Sequence, residues 1–427
     1  MNSSMRDRLA CISVLLLFVF LPIGAAKPLR IAVVSDIHYL SPSFMDNGPA
    51  IEKYEKNSAK NIRDIPALLQ VALNDLESEI PDILLLPGDL TKDGELQSHQ
   101  DLKKRLDRLA ALGTRIFVIP GNHDISVPHP VRFVGETTLP VSNISPKDFA
   151  NIYQDYGFSE SFARDTASLS YAVALNASTW LIAVDSNRYK EYSSNTISSG
   201  RVLPATEKWV VDLLAEARKK GITVWGMMHH GLVEHFMYQN LFFADYLVDD
   251  WKRLASVFAD NGMKVIFTGH FHANDITQFD SPDGNRIYDI ETGSLSSFPF
   301  PYRKMSWDGY NLDIQTTKIS TIPGKPDLAH QDSIAKLNYA TVAAKTKIKA
   351  KIPFLPDNTV EALATLIGRI YIMHVQGDEK MDDEMRKAVE VFSSLMGGDS
   401  ETDSRDLELD FPPADNCLRI EINHPDR

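Results

Sequence analysis

Short runs of aliphatic and β-branched residues recur along the first two-thirds of the chain, and several stop abruptly at a polar cluster. Leu29–Ser35 (LRIAVVS), Asp82–Leu86 (DILLL) and Arg115–Pro120 (RIFVIP) are apolar enough to be buried strands. Between them, Pro66–Glu79 and Leu102–Leu112 carry apolar residues at helical spacing, the second stopped by Gly113. Beyond a long Pro-punctuated stretch, Val127–Tyr156, the segments Leu169–Leu175 and Trp180–Asp185 predict a hairpin pair. Ala205–Lys220 predicts a helix with basic residues in its last turn and Gly221 beyond. Thr223–Met228 and Lys264–Thr268 are strands on either side of a helix over Trp251–Asn261; Arg286–Thr292 and Gly309–Ile319 continue in strand-like alternation. This order predicts an α/β fold: a four-layer α/β/β/α sandwich of two mixed sheets, with helices outside.

Near Pro323–Pro326 the pattern breaks, and Asp332–Ala350, Thr359–Met373 and Asp382–Met396 turn helical. The expected division is a sandwich domain over 27–325, an added C-terminal helical region over 326–398, and an acidic tail over 399–427 without stable order. Residues 1–26 form a further unit. Arg6 and Arg8 precede a short apolar run, Ile12–Ile23, and Gly24-Ala25-Ala26 supplies small residues, so a signal peptide cleaved before Lys27 is expected. The run is shorter than the roughly 18–20 apolar residues that span a bilayer. Export follows as the expected fate, to periplasm, cell surface or medium. Of the chain's two cysteines, Cys11 would leave with the leader and Cys417 remain alone, so no internal disulfide is expected. A formal charge of −13 argues against non-specific nucleic-acid binding.

Five clusters carry the candidate chemistry: Asp36-Ile37-His38, Gly88-Asp89, Gly121-Asn122-His123-Asp124, Met228-His229-His230 and Gly269-His270-Phe271-His272. Each follows an apolar run, and open α/β sheets bind ligands beyond the carboxyl ends of their strands. Strand alternation would turn Asp36 and His38 toward one ion, and likewise His270 and His272. Gly88, Gly121 and Gly269 precede ligand positions, where a missing side chain allows close approach. Such Asp, His and Asn donors suit a pair of metal ions, with one His left over for proton transfer. A shared ligand has to be a carboxylate, which has two oxygens, and Asp89 is the natural candidate.

The five motifs, in this order over roughly Pro28–Pro323, resemble those of the calcineurin-like metallophosphoesterase family. The resemblance implies one metal held by Asp36, His38, Asp89 and His272, and a second by Asp89, Asn122, His229 and His270. It makes His123 the proton-handling residue at the leaving group, Asp124 the acid that orients it, and Thr292-Gly293-Ser294 the closing turn. The implied activity is metal-dependent hydrolysis of a phosphate ester by a bridging hydroxide, with a phosphodiester favoured. A phosphomonoesterase or nucleotidase, or a non-catalytic metal-containing binding scaffold, are the alternatives. The implied cofactors are two divalent or trivalent transition-metal ions, Mn, Fe or Zn. Purple acid phosphatases of this superfamily carry Tyr three residues after the bridging Asp; here Lys92 stands there, so no tyrosinate ligand is expected.

Other polar residues have plainer readings. Either His229 or His230 could serve as the ligand; the resemblance favours His229, and His230 then reads as a supporting or rim residue. His99, His129 and His235 are solvated or packed side chains, with His235, just past a ligand, also a candidate for substrate contact. Arg63, Tyr39 and Lys92 lie near ligands in sequence and are candidates for touching phosphate, Arg63 more simply as a solvent-facing residue. The acidic run Asp378–Glu384 lacks the alternation and central Gly of a calcium loop. Substrate choice falls to the rim loops Leu40–Ile62, Val127–Tyr156 and Gly231–Phe243. The expected partner is a small-molecule or lipid-headgroup phosphate ester, with no nucleic acid and no membrane span once the leader is removed.

Overall fold

The computed structural model describes residues 27–236, 239–387 and 409–423. The leader, most of the helix expected over Asp382–Met396, and tail positions 399–408 and 424–427 lie outside them.

Fifteen strands build two large sheets and one hairpin. In chain order they are β1 Leu29–Val33, β2 Ile83–Leu86, β3 Arg115–Val118, β4 Val131–Val134, β5 Thr137–Pro140, β6 Ala163–Arg164, β7 Tyr171–Asn176, β8 Thr179–Val184, β9 Thr223–Met228, β10 Met263–Thr268, β11 Asp275–Asp280, β12 Arg286–Glu291, β13 Pro301–Trp307, β14 Asn311–Lys318 and β15 Cys417–Glu421. The first sheet runs β15-β14-β13-β1-β2-β3 and the second β11-β12-β10-β9-β8-β7-β6, while β4 and β5 pair alone. Both sheets are mixed: β1, β2 and β3 are parallel neighbours, as are β8, β9, β10 and β12, with antiparallel strands added outside. The fold is thus the expected two-sheet sandwich with helices and an added C-terminal helical region.

The sheets meet across a dry aromatic layer. Trp225 of β9 and Trp307 of β13 stand 5.2 Å apart between ring centroids, and Trp225 meets Phe267 of β10 at 5.7 Å. The Trp307 indole N–H donates to Thr179 Oγ1 at 3.2 Å, which satisfies its one polar atom in the core. Helices Ile65–Ser78 and Leu96–Ala111 bury one apolar side each against the first sheet; Pro204–Lys220 and Trp251–Asp260 do so against the second. Helix Pro204–Lys220 follows its local signals closely. Proline opens it, and Gly221 closes it at φ +66°, a conformation that costs glycine little.

Three strands run against the sequence pattern. β11 (DITQFD) and β13 (PYRKMSW) are too polar to look buried, yet Arg303 of β13 is fully buried. The tail expectation needs correcting at Cys417–Glu421. This segment is an edge strand, antiparallel to β14, with Ile420 opposite Leu312 and packed in the main core. Its alternation is too short to stand out, and only the free edge of β14 gives it a partner. The rim stretch Leu40–Ile62 also contains a helix, Pro49–Ser58, with Ile51 as its one buried residue.

Candidate metal centre

The carboxyl ends of β1, β2, β3, β9 and β10 converge on one spot, and the loops that leave them bring in the expected residues. Asp36, His38 and His272 place ligand atoms within 4.8 Å of one another; so do Asp89, His229 and His270. His38 Nε2 lies 3.1 Å from His272 Nε2, and His272 Nε2 lies 3.4 Å from Asp36 Oδ1. In the other group His229 Nε2 lies 3.1 Å from Asn122 Oδ1. Asp89 stands between them: Oδ2 is 3.5 Å from His38 Nε2, and Oδ1 is 3.5 Å from His229 Nε2. One carboxylate thus turns an oxygen toward each group, as a bridging ligand requires.

Strand alternation does not bring about this convergence. β1 ends at Val33, and the ligands follow in loops whose backbone is left-handed: φ is +49° at Asp36, +47° at His38, +48° at Asp89, +75° at His270 and +67° at His272. Such values cost a non-glycine residue of order 1–2 kcal/mol each, so the surrounding packing has to impose them. The kinks also separate His270 from His272, which face different groups rather than one ion. Two glycines are explained by contact. A Cβ at Gly121 would strike the Asp89 carboxylate, and one at Gly269 would strike Asp36 and Ser35.

Around the ligands, partners fix which nitrogen is available. Pro87 O takes His229 Nδ1 at 3.0 Å and Asp245 O takes His270 Nε2 at 3.2 Å, which leaves Nε2 of the first and Nδ1 of the second to face inward. Burial holds His38 and His270 well below the usual imidazole range, and His272 below it, which favours the neutral form a metal needs. Burial alone would raise Asp36, but His272, His229 and Ser35 bring its carboxyl down to about 2. Imidazole nitrogens facing one another beside carboxylate oxygens are a donor set that fits metal cations. The closing turn adds support: Ser294 Oγ donates to Asp36 O at 2.7 Å, and Leu295 N to Ser35 O at 3.1 Å.

His123 is the most exposed member, at 24% of its side chain, with its ring 5.1 Å from that of His38. Its Nδ1 lies 2.9 Å from Asp93 Oδ1, and its backbone N–H donates to Asp89 Oδ1 at 2.9 Å. Asp124, expected to orient it, does not touch the ring. The Asp124 carboxylate instead accepts from Leu90 N, Thr91 N and Gly121 N, and burial together with the charge of Asp89 raises it to about 7. It ties the loop after β2 to the loop after β3. Asp93 is the residue that sequence reasoning missed. Burial would raise it, but Lys92 and His123 drive it far below the usual carboxylate range, so it stays an acceptor for His123.

Two lysines were missed as well. Lys60 Nζ lies 3.4 Å from His38 Nδ1 and faces Asp89, Asp93 and Asp36. Lys336, on the C-terminal helix Leu328–Lys351, is 2% exposed, donates to Ser297 Oγ at 2.7 Å, and is lowered by burial to about 8. Neither belongs to a motif, and Lys336 comes from outside the motif-bearing region. The residues expected near phosphate are otherwise engaged. Lys92 is buried between Asp93, Glu95 and the Tyr54 ring, Arg63 binds Glu55 and Glu52, and the Tyr39 hydroxyl accepts from Arg105. His230 is a packed residue held by Ser186 Oγ and Ser198 O, and His99 by Tyr153 and Thr91. His235 is buried among Asp275, Asp289 and Glu291, and His129 is exposed.

No curated protein matches the chain. Among solved structures it is similar to a dimetal phosphatase from Danio rerio, 12% identical, covering 68% of this chain and 96% of that one with a TM-score of 0.49. It is similar to purple acid phosphatase PPD1 from yellow lupin (Lupinus luteus) seeds, 12% identical, covering 68% of this chain and 52% of that one, TM-score 0.36. It is also similar to the NAD nucleotidase of Haemophilus influenzae, 13% identical, covering 68% and 49%, TM-score 0.37. The chain spans about half the length of these last two. The model of the family described as calcineurin-like phosphoesterase matches residues 29–274, more than half of the chain and all five motifs, so the chain belongs to the calcineurin-like phosphoesterase family and is a metal-dependent phosphoric ester hydrolase.

Proposed function

We propose that the protein hydrolyses a small phosphodiester, a free molecule or a lipid headgroup, at a pair of transition-metal ions bridged by Asp89. Asp36, His38 and His272 would complete one ion's shell, and Asn122, His229 and His270 the other's. The observation that carries this reading is the position of Asp89, with one carboxylate oxygen turned to each group. When bound, the ions would supply charge for the phosphoryl oxygens and a water acidic enough to attack phosphorus at neutral pH.

The chain's own residues do the rest. His123, held through Nδ1 by the Asp93 carboxylate, presents Nε2 outward and can hand a proton to the departing alkoxide. The anionic partner stabilises the imidazolium before that transfer and fixes the ring's orientation. Lys60 faces the same space. Charge supports a diester over a monoester dianion. Lys92, Arg63 and Arg188 are engaged with carboxylates, Lys60 faces three carboxylates of the site, and Lys336 donates to Ser297 Oγ.

A panel of bis-p-nitrophenyl phosphate, p-nitrophenyl phosphate and cyclic nucleotides, run with Mn, Fe and Zn in turn, tests the proposal. The diester should be turned over faster than the monoester; the reverse ratio would move the reading to a phosphomonoesterase or nucleotidase. We place the activity outside the cytoplasm on the strength of the leader pattern, and an expressed protein whose first residue is not Lys27 would remove that support.

A further inference from the structure

A second group of buried acids and histidines lies where the C-terminal helices meet the sandwich. His374 is in the last turn of helix Asp357–Gln376, Glu379 follows the turn at Gly377, and Asp275 opens β11. Their ligand atoms lie within 4.8 Å of one another, and the three residues are 3%, 8% and 0% exposed. His374 Nδ1 is 2.7 Å from Glu379 Oε1 and 3.5 Å from Asp275 Oδ2.

The hydrogen bonding here is incomplete. Asp275 Oδ1 is satisfied by His235 Nδ1 at 2.6 Å and Thr277 Oγ1 at 2.9 Å, but Asp275 Oδ2, Glu379 Oε2 and His374 Nε2 are buried with no hydrogen-bond partner among the described residues. Leaving one such atom unpaired costs about 1–3 kcal/mol, more when it is charged. An imidazolium at His374 would neutralise one carboxylate and leave the second oxygen of each acid unmatched. Burial would lower His235, but Asp275 and Asp289 raise it well above the usual imidazole range, and it meets Asp275 at Oδ1 and not at the unmatched Oδ2. The other cations nearby point elsewhere. Arg303 donates to the carbonyls of Asp415 and Glu291 and to Thr316 Oγ1, and Lys318 donates to the carbonyl of Gln376. Further acids crowd in. Burial, then the charges of Glu379 and Asp275, raise Asp410 to about 7; burial and Asp275 raise Asp415 to about 9. Asp378 and Asp415 are occupied by each other's backbone N–H and by Asn416 and Ile276, so they are not free donors.

We propose that Asp275, His374 and Glu379 hold a third divalent transition-metal ion, separate from the bridged pair, that clamps the C-terminal helices to the catalytic sandwich. One imidazole with two carboxylates suits ions such as Zn²⁺ or Mn²⁺ better than Ca²⁺ or Mg²⁺, which prefer all-oxygen shells. The ion accounts for the unmatched carboxylate oxygens at once, because it takes a lone pair from each acid. It also joins parts of the chain that no strand pairing joins. Asp275 lies three residues after His272, Asn274 Nδ2 donates to Val375 O at 3.2 Å, and the Phe271 ring sits 5.2 Å from the His374 ring. The clamp therefore seats the helices beside the His270–His272 loop and sets the position of the helix that carries Lys336.

The test counts ions on the full-length mature protein. Chelator-stripped protein is dialysed against Zn²⁺ and, in a parallel arm, Mn²⁺, then desalted and measured by elemental mass spectrometry. The wild type should hold three ions per chain in at least one arm, the His374→Gln/Glu379→Gln variant two, and the Asp36→Asn/Asp89→Asn variant one. Two ions on the wild type in both arms overturn the proposal, as does a third ion that survives His374→Gln/Glu379→Gln. If that variant does not fold, the Asp36→Asn/Asp89→Asn count decides alone: one ion supports the clamp and none refutes it. Failure of the bridged pair reads differently, since Asp36→Asn/Asp89→Asn would then bind as much metal as the wild type.

Discussion

The candidate metal centre and the junction below the C-terminal helices are built from the same residue types and differ in how far they open to solvent. At the centre the backbone does the positioning: five ligands sit in left-handed loops at strand ends, with glycines where a Cβ would collide. At the junction a helix end, a turn and a strand start meet, and the turn between His374 and Glu379 is left-handed too, at Gly377 (φ +75°) and Asp378 (φ +63°), with Gly377 where a Cβ would strike Asn274 O. The centre is open on one side, with His123 and His272 partly exposed, while the junction is closed over. An open cluster can exchange substrate and water; a closed one can only hold things together. Exposure, more than ligand chemistry or backbone shape, distinguishes the proposed reacting site from the proposed fastening one.

The largest expected effect comes from removing the shared ligand. Asp89→Ala should lower kcat/KM by roughly 10³-fold or more and release ions, while the thermal midpoint of the C-terminal helices holds; full retention of both ions by elemental analysis would end the bridging role. His123→Ala should cost roughly 10²–10⁴-fold in kcat with metal content unchanged, as expected for a proton-transfer group. Unchanged turnover would remove His123 from the chemistry.

Asp93→Asn should cost roughly 10–100-fold in kcat, the usual effect of a partner that orients a working histidine, and shift the alkaline limb of the pH–rate profile, where a proton-donating group is lost. Asp124→Asn should leave that limb in place and lower stability by about 1–3 kcal/mol through lost backbone acceptors; the opposite pattern would restore Asp124 as the orienting acid. Lys336→Met asks whether the helices enter the chemistry at all. A rise in KM of roughly tenfold, about one charge-assisted hydrogen bond, would join the two regions functionally, and an unchanged KM would keep the helices structural.

The smallest effect sets a baseline for a buried histidine outside both regions. Burial lowers His99 to about 3, so the unfolded chain takes up this proton first as pH falls below about 6.5. Its contribution to stability is unaffected above that pH and declines by about 2 kcal/mol by pH 5. Denaturant titrations of metal-free His99→Gln at pH 7 and pH 5 should show that much less loss than the wild type, and an equal loss would mean His99 is protonated in the native state.

Most of the sandwich was legible because its strands are short apolar runs that end at chemistry-bearing clusters, and the helices between them carry their own start and stop residues. Pro204 and Gly221 bound one helix as their types demand. β13 and β15 were not legible. Arg303 is buried in β13 only because carbonyls from distant segments receive it, and β15 exists only because β14 offers an open edge. At the centre, the identities of Asp36, His38, Asp89, Asn122, His229, His270 and His272 could be read from motifs, since each sits at a fixed offset from a strand or glycine. Their division into two groups came from the resemblance and not from strand alternation, which put His270 and His272 on one ion because it does not contain the left-handed kinks.

Asp93 and Asp124 show the remaining boundary. Both are acids within a few residues of a ligand, and the family resemblance gave the orienting role to Asp124, the direct neighbour of His123. Side-chain direction decides otherwise: Asp124 turns back into three backbone N–H groups, and Asp93 reaches the ring from another loop. Lys336 and the Asp275, His374 and Glu379 group lie further beyond reach, because nothing local marks them. Local sequence determined where the strands end and which donors stand there, since those choices depend on neighbours along the chain. Which donor faces which partner was decided by the tertiary structure, since packing places side chains from distant segments within an ångström-scale contact that no spacing encodes.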